Sequence, residues 1–543
     1  MSDKYRKFEQ LKVMNIILSH KVLAFFYGIF IFLYQLKFFE ECITVVHPIL
    51  IVWAFFIAVY DIFVRKIWRV IPLWQPLVLF VLSAGITGIL TREAGIVLNI
   101  KVWVMVTLPL SAFYPVCLLE KKEKRTEALL HSLSGAAVVM CISSIVSLWM
   151  YAVRFSQKVT FMGITQSIGI SHYVPEDPSS AVILYGIYKD TNYAASYAVV
   201  FIVYSLMLLA FCRRGGYQEQ WKNQAARIFA VVNLIVQILY FPLANSRGGW
   251  VSMCVSIFIV MFLYVFCNWQ KQRKICVKVL LSLAGSIAAV FLCGLILLVS
   301  RTGMSAVSMK IESGRLDKQQ EKQIADKTLN KSKKEVKGEN QNNADGNNHV
   351  KENPANPTDS RMDSESVSEK NSADTSQAAE DSFNKQNAEI GAGRIEIWKD
   401  ALKLFKNRPF WGEGSGNNVY YAKKYSPDGR IALFGKMIHN SYLDLLVDYG
   451  IIGTVFLLSF WVGCMAAVLK HLLWKKKELS IFAYFCMVNI LMGAGGAFLL
   501  SYLFVNMTAM YFLLLVSVGY LMSECVPDLQ EREDGAVFRE EKR

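Results

Sequence analysis

The sequence lacks the features that mark small secreted proteins and zinc proteins. Its 543 residues include 11 cysteines but no Cys-x-x-Cys pair, and most of the cysteines fall inside apolar blocks. This distribution argues against a disulfide framework and against a bound metal. The polar, basic start of the chain leads into an apolar block that no small-residue cleavage site follows. We therefore expect that block to remain as a membrane span rather than to be removed as a signal peptide.

The sequence also lacks a basic stretch that would form one soluble face. Its formal net charge of +15 could indicate a nucleic-acid partner, but Lys and Arg lie mainly in short segments beside apolar blocks. The positive-inside rule predicts this placement for the cytoplasmic loops of membrane proteins. We therefore expect the lipid bilayer, and no nucleic acid, as the partner of these charges.

Long apolar blocks are what the sequence has in abundance. Hydrophobic residues make up 54% of the chain, and they recur in blocks of about 20, the length that crosses roughly 30 Å of hydrocarbon. The pattern predicts an all-α polytopic membrane protein with about twelve transmembrane helices. We place the spans near 22–39, 43–63, 70–90, 97–119, 133–153, 191–212, 228–244, 250–267, 279–299, 446–469, 481–500 and 506–523.

The loop charges predict the orientation of these spans. Alternate connections carry Lys/Arg clusters, whereas the others are nearly free of them, so we expect the basic set and both termini in the cytoplasm. Four regions follow from this topology. They are an N-terminal membrane region of about nine spans (1–299), an extracytoplasmic loop (300–445), a C-terminal membrane region of about three spans (446–523) and a cytoplasmic tail (524–543).

The extracytoplasmic loop contains a polar insert at about 316–388. It is rich in Lys, Glu, Asn, Ser and Asp, with almost no aromatic residues and no apolar period. Such a segment cannot bury enough surface to offset the entropy of ordering it, so we predict that it is disordered.

A helical pattern follows the insert, at about 393–407. Apolar residues recur there at helical spacing, which predicts an amphipathic helix lying along the outer membrane surface. They are Ile395, Trp398, Leu402 and Phe405. The next segment, GEGSGNN, lacks the Lys-Ser/Thr of a phosphate-binding loop, and we predict a turn. Three carboxylates, Glu413, Asp444 and Asp448, are weak candidates with no spacing that indicates a metal site.

Arg247 lies in ANSRGGW, between two apolar spans. An arginine at the membrane edge is costly unless it is paired or solvated, which makes it a functional candidate. Gly248 and Gly249 would allow a bulky ligand to approach the backbone. The alternative is an arginine that snorkels from a helix end, and position alone does not decide between the two.

Three further candidates lie around the amphipathic helix and the tenth span. Arg394 lies at the start of that helix, and the ordinary alternative for it is a solvated surface residue. Arg408 follows the helix, and the ordinary alternative for it is a helix C-terminal cation. His439 precedes a predicted helix start, where the helix dipole would favour a neutral, proton-accepting ring. Its alternative is a bond to the loop backbone. Asn440 or Ser441 can cap the helix.

Taken in order, ANSRGGW, GRIEIWKDALKLFKNRPFWGEGSGNN and HNSYLDLLVDYGIIG resemble segments of the O-antigen ligase and polymerase superfamily. Its members are bacterial membrane transferases that take a glycan from an undecaprenyl-pyrophosphate carrier. DTNYAA at 190–195 is similar to a weaker segment of that family. The resemblance implies glycan transfer to a glycan, lipid or protein acceptor in cell-surface polysaccharide biosynthesis, at the outer face of the cytoplasmic membrane.

The resemblance also implies the site residues. Arg247, Arg394 and His439 match the family's essential positions, with Arg408 and Asn440 as additional substrate-binding residues. The implied enzyme is an inverting glycosyltransferase that needs neither metal nor cofactor. Because ESGRLDK echoes GAGRIEI, Arg315 is a rival for the role of Arg394.

Several alternatives stay open at this point. The enzyme could polymerise repeat units, ligate a finished glycan or glycosylate a protein, because the sequence does not name the acceptor. A secondary transporter of about twelve spans is the alternative from another class, although no internal repeat of the spans supports it. A membrane anchor that displays the polar insert ranks lower.

Overall fold

The computed structural model describes residues 16–161, 164–172, 182–268, 274–338, 392–435, 437–474, 478–501 and 508–527. Most of them are helical. The described α-helices are α1 (His20–Leu33), α2 (Glu40–Tyr60), α3 (Trp74–Leu90), α4 (Ile96–Phe113), α5 (Arg125–Ala152), α6 (Thr191–Arg213), α7 (Gln220–Leu243), α8 (Arg247–Asn268), α9 (Ile275–Gly338), α10 (Ala392–Asn407), α11 (Asn418–Tyr425), α12 (Arg430–Phe434), α13 (Ser441–Leu469), α14 (Ile481–Gly496) and α15 (Ala509–Cys525).

Each predicted span overlaps one of these helices. Within the described residues, eight helices are long and apolar enough to cross a membrane, namely α2, α4 to α9 and α13. Four shorter apolar helices, α1, α3, α14 and α15, correspond to the remaining predicted spans. The predicted all-α polytopic membrane fold is confirmed.

The chain forms two compact units, one of Met1–Ala306 with Glu396–Arg543 and one of Val307–Ile395. The second unit contains the distal part of α9, which continues to Gly338. Part of the insert predicted to be disordered is therefore helical. The composition excludes a buried core, but Lys, Gln, Glu and Ala are also good helix formers. The rest of the predicted insert, 339–388, lies outside the described residues.

A chain of buried polar side chains lies between α5, α6 and α7 in the first unit. Ser144 contacts the Tyr188 hydroxyl at 3.0 Å and donates to Gln237 Oε1 at 3.2 Å. The Gln237 amide donates to Asn233 Oδ1 at 3.0 Å, and Asn233 Nδ2 donates to Ser205 Oγ at 2.8 Å. Such bonds join apolar helices that lack a hydrophobic drive to associate in lipid. We call this chain the polar ladder.

The connection between α5 and α6 forms a three-stranded antiparallel sheet. Its strands are β1 (Ser156–Phe161), β2 (Ile164–His172) and β3 (Val182–Gly186), in the order β1-β2-β3. The strands contain several β-branched residues, which favour extended backbone. The sheet ends just before α6 and leads directly into DTNYAA.

The helix predicted near 393–407 corresponds to α10, but its buried face differs from the predicted one. Ile397, Ala401 and Leu404 are buried, whereas Leu402 is exposed. The buried residues follow the i, i+4, i+7 spacing of one helix face. An alanine in the middle of that row weakens its hydrophobic signal in the sequence. This face packs into a small separate core with Tyr421, Ala422, Ile431, Ala432, Ile438 and Val447.

Candidate functional site

Helix α13 is interrupted at Gly450, where φ is 62° and ψ is −169°. The loop after α10 fills this interruption. The backbone N–H of Glu413 donates to the Val447 carbonyl, and that of Gly414 donates to the Asp448 carbonyl, both at 2.8 Å. Carbonyls freed by the break in the helix are thus paired with protein instead of water.

The other side of the interruption is paired in the same way. The N–H of Ile451 donates to the Pro409 carbonyl at 2.8 Å, and that of Ile452 donates to the Phe410 carbonyl at 3.2 Å. A Cβ atom on Gly450 would lie 2.4 Å from the Phe410 carbonyl oxygen. The predicted turn is therefore a backbone plug in the helix, and only glycine fits at the break.

Glu413 lies inside this plug with its side chain buried. Among the described residues, neither of its carboxylate oxygens has a hydrogen-bond partner. Burial and then the nearby Asp448 raise the pKa of Glu413 to about 8, against an opposing effect of Arg408. These surroundings favour the protonated form of Glu413. The sequence marked it only as a weak candidate, and nothing in its spacing indicated burial.

The structure joins two of the sequence motifs directly. In ANSRGGW, the Ser246 hydroxyl accepts from the Gly249 N–H at 3.1 Å and donates to Asn192 Oδ1 of DTNYAA at 2.9 Å. Asp190 caps α6 by accepting from the Asn192 N–H at 2.6 Å. Arg247 is the first residue of α8 and is exposed. The starts of α6 and α8 therefore meet beside Arg247.

Asn440 caps α13, as one of the two predicted alternatives. Its Oδ1 accepts from the backbone N–H of Tyr442 at 3.0 Å and of Leu443 at 3.1 Å. His439 precedes the cap, is half-buried and has a left-handed φ of 56°. Non-glycine residues rarely adopt this conformation, and those that do often lie at functional sites.

The segment after α14 brings these motifs together. Ser441 donates through its N–H to the Ala497 carbonyl at 2.8 Å and through its hydroxyl to the Leu500 carbonyl at 2.7 Å. The Tyr193 hydroxyl donates to the Ser501 carbonyl at 3.3 Å. One short segment thus connects the start of α13 with the start of α6.

The same segment also lies against α8. A Cβ atom on Gly248, next to Arg247, would lie 2.9 Å from a methyl carbon of Leu499. The sequence did not predict these contacts, because residues 497–500 were expected to form the end of an apolar span at 481–500. The structure ends α14 at Gly496, and the unwound residues that follow make the contacts.

Arg408 lies in an ion cluster. Its guanidinium forms a salt bridge to Glu93 at 2.7 Å, donates to the Leu90 carbonyl at 3.3 Å and lies 4.8 Å from the centre of the Tyr421 ring. Hydrogen bonds from Lys424 and then Tyr421 keep the pKa of Glu93 below its usual value. These contacts fasten the end of α10 to the connection after α3.

Arg394 lies in the first turn of α10 and is half-buried. Arg394 belongs to the compact unit Val307–Ile395, whereas Arg247 and His439 belong to the other unit. The choice of Arg394 over Arg315 therefore stays a prediction. Within the described ranges, no group of three or more His, Cys, Asp or Glu side chains is arranged to hold a metal ion.

Residues 229–458 match the family model described as O-antigen ligase, and no curated protein or solved structure matches the chain. The matched region begins within α7 and ends in α13, so it contains ANSRGGW, the α10 segment, the plug and HNSYLD. The resemblance inferred from these motifs is confirmed. Residues 229–458 thus carry an O-antigen ligase domain.

Proposed function

We propose that the protein transfers or polymerises a glycan from an undecaprenyl-pyrophosphate carrier onto an acceptor hydroxyl. The observation that supports this most directly is the meeting of three helix starts at one end of the bundle. The starts of α6, α8 and α13 all contact the segment after α14. Arg247 and His439, matched independently by the family resemblance, lie next to these contacts.

In this proposal, Arg247 and Arg394 bind the pyrophosphate of the donor. A guanidinium forms paired hydrogen bonds to phosphate oxygens and keeps its charge at any relevant pH. Two such groups stabilise the negative charge that develops on the leaving pyrophosphate. No metal is required for that task, because the arginines supply the positive charge.

His439 is the proposed general base. Its imidazole takes the proton from the acceptor hydroxyl as the oxygen attacks the anomeric carbon. The bond between that carbon and the pyrophosphate oxygen breaks at the same time, so the carrier leaves as a pyrophosphate and the anomeric configuration inverts. The left-handed backbone of His439 supports this role, because strain of this kind is retained where geometry matters for function.

Arg408 and Asn440 are proposed to assist substrate binding. Arg408 has N–H donors beyond those used by Glu93 and Leu90. Asn440 uses its carbonyl oxygen for the cap, which leaves its amide nitrogen as a donor. The positive-inside pattern places this end of the bundle outside the cytoplasm and both termini inside it.

A transfer assay tests the proposal. Purified protein in liposomes would receive a short undecaprenyl-pyrophosphate oligosaccharide and candidate acceptors, in the presence of EDTA. We expect release of undecaprenyl pyrophosphate and formation of a longer or transferred glycan. Arg247→Ala, Arg394→Ala and His439→Ala should each reduce the rate by at least about 100-fold, the usual size for losing a positioned base or a charge-stabilising donor.

The outcomes separate the assignments. Full activity in one variant would remove that residue from the proposal, and activity lost in EDTA would contradict the metal-independent mechanism. Arg315→Ala is the matched control for Arg394→Ala and should retain activity. Uptake of a solute into the same liposomes without glycan transfer would favour the transporter instead.

A further inference from the structure

One hydrogen-bonded pair of side chains determines how the turn before Arg247 meets α6. Ser246 Oγ donates to Asn192 Oδ1 at 2.9 Å and accepts from the Gly249 N–H at 3.1 Å. Ser246 is only 2% exposed, so water does not compete strongly for these bonds. The carbonyl oxygen of the Asn192 side chain is therefore held on Ser246.

Fixing one end of the carboxamide orients the other end. The oxygen and the nitrogen lie on opposite sides of the planar group, so Asn192 Nδ2 is turned away from Ser246. Among the residues that the structure describes, this nitrogen has no hydrogen-bond partner, and Asn192 is half-buried rather than enclosed. Its two N–H groups are therefore donors held in place before any ligand arrives. Such a donor loses little conformational entropy on binding.

The surroundings of Asn192 favour an anion. Ser246, its partner, immediately precedes the exposed Arg247, and the N-terminal ends of α6 and α8 both lie here and carry partial positive charge. The Oδ1 of Asp190, at the same helix start, already accepts the backbone N–H of Asn192 at 2.6 Å. A phosphate oxygen beside Arg247 would complete the hydrogen bonding of the amide.

We infer that Asn192 is a further substrate-binding residue, whose side-chain N–H groups donate to a phosphate oxygen of the donor pyrophosphate beside Arg247. Ser246 is the positioning residue that keeps the amide in this orientation. The inference rests on the proposed function and names an additional contact to the same substrate. The competing role for Asn192 is a purely structural link between α6 and α8.

Asn192→Asp separates the two roles. The substitution keeps the shape of the side chain and an oxygen that accepts from Ser246, but it replaces the N–H donors with a second carboxylate oxygen. A structural link would survive the change, whereas a phosphate contact would become repulsive. We expect the KM for the undecaprenyl-pyrophosphate donor to rise at least about 10-fold, the size of one hydrogen bond to a charged group.

Further variants separate contact from charge and from folding. Asn192→Ser removes the N–H donors without adding charge and should also raise the donor KM, by less than Asn192→Asp does. Ser246→Ala removes the bond that orients the Asn192 amide. It should raise the donor KM by less than Asn192→Ser does. Ser196→Ala is the matched control, because it removes a hydroxyl that donates to the Asn192 backbone carbonyl at 3.0 Å, one turn along α6, and should leave the donor KM unchanged.

Binding of undecaprenyl pyrophosphate, followed as a shift in thermal unfolding temperature, gives a second readout. We expect Asn192→Asp to weaken it in parallel with the donor KM. If wild type transfers glycan and both Asn192 variants keep its donor KM and its affinity, the inference is wrong and the proposed function stands. If wild type neither transfers glycan nor binds undecaprenyl pyrophosphate, both are wrong.

Discussion

Two buried polar regions of this protein are built on opposite principles. In the polar ladder, every hydrogen bond runs between uncharged side chains, and the bonds from Ser144 to Gln237 and from Asn233 to Ser205 join neighbouring helices. In the plug of α13, four backbone hydrogen bonds pair the groups at the break, whereas the carboxylate of Glu413 has no hydrogen-bond partner among the described residues. The ladder is a set of cross-links between helices, whereas the plug combines a rigid backbone with a proton-dependent side chain.

The largest effect should come from the backbone of the plug. Gly450→Ala would place a Cβ atom 2.4 Å from the Phe410 carbonyl oxygen, in a backbone region that is essentially restricted to glycine. We expect a loss of about 3 kcal/mol or more of stability, with little folded protein recovered. Size-exclusion profiles and thermal unfolding in detergent measure it.

Gly294→Ala is the matched control for this change. A Cβ atom there would meet nothing within 4 Å, so the variant should be as stable as the wild type. A Gly450→Ala protein that is recovered in normal yield and unfolds at the wild-type temperature would show that the break in α13 does not depend on the plug.

A second effect, of opposite sign, should come from the acid of the plug. Glu413 has a pKa of about 8 in the folded protein against an ordinary value of 4.5. Between these values the unfolded chain loses the proton and the folded protein retains it. The contribution of Glu413 to stability is therefore greatest below pH 4.5, falls as pH rises by up to roughly 1.4 kcal/mol per pH unit, and levels off above about pH 8.

Glu413→Gln cannot ionise, so it should remove this decline. We expect a higher unfolding temperature than wild type at pH 7.5 and little difference near pH 4.5. Glu93→Gln, at an exposed acid whose pKa is lowered instead, should not flatten the pH profile. Equal pH profiles for Glu413→Gln and wild type would show that Glu413 is already ionised or solvated in the folded protein.

The smallest of these effects should come from the polar ladder. Asn233→Leu removes the bonds to Gln237 and Ser205, but neighbouring helix packing remains. Hydrogen bonds between membrane helices are worth about 0.6–1.7 kcal/mol each, and we expect a loss of about 1–2 kcal/mol. Chemical unfolding in mixed micelles measures it, and stability equal to wild type would mean that packing alone holds α6 to α7.

The sequence predicts helices here better than it predicts their irregularities. Apolar length located all the spans, because hydropathy depends only on composition over about 20 residues. The break at Gly450 was missed because a single glycine inside a helical pattern is tolerated and does not by itself indicate a break. The continuation of α9 to Gly338 was missed because the polar composition of this segment excludes a buried core but does not exclude a helix.

The candidate site was predicted through its motifs rather than through its geometry. Arg247 and His439 were identified by resemblance, and the cap at Asn440 followed from ordinary helix-capping preferences. The bond between Asn192 and Ser246 joins residues 54 positions apart, and no local pattern encodes such a pairing. The unwound residues after Gly496 likewise looked like the end of a span.

The plug also determines where the chain tolerates changes in length. Its four backbone bonds close the segment from Pro409 to Ile452 into a ring. Insertions or deletions among the residues inside the ring, such as those of α11 and α12, leave these four bonds in register. Removing one residue between Phe410 and Glu413 would leave only one of the two pairs of bonds in register. The spacing of this stretch is therefore fixed by hydrogen-bond register rather than by the identity of its side chains.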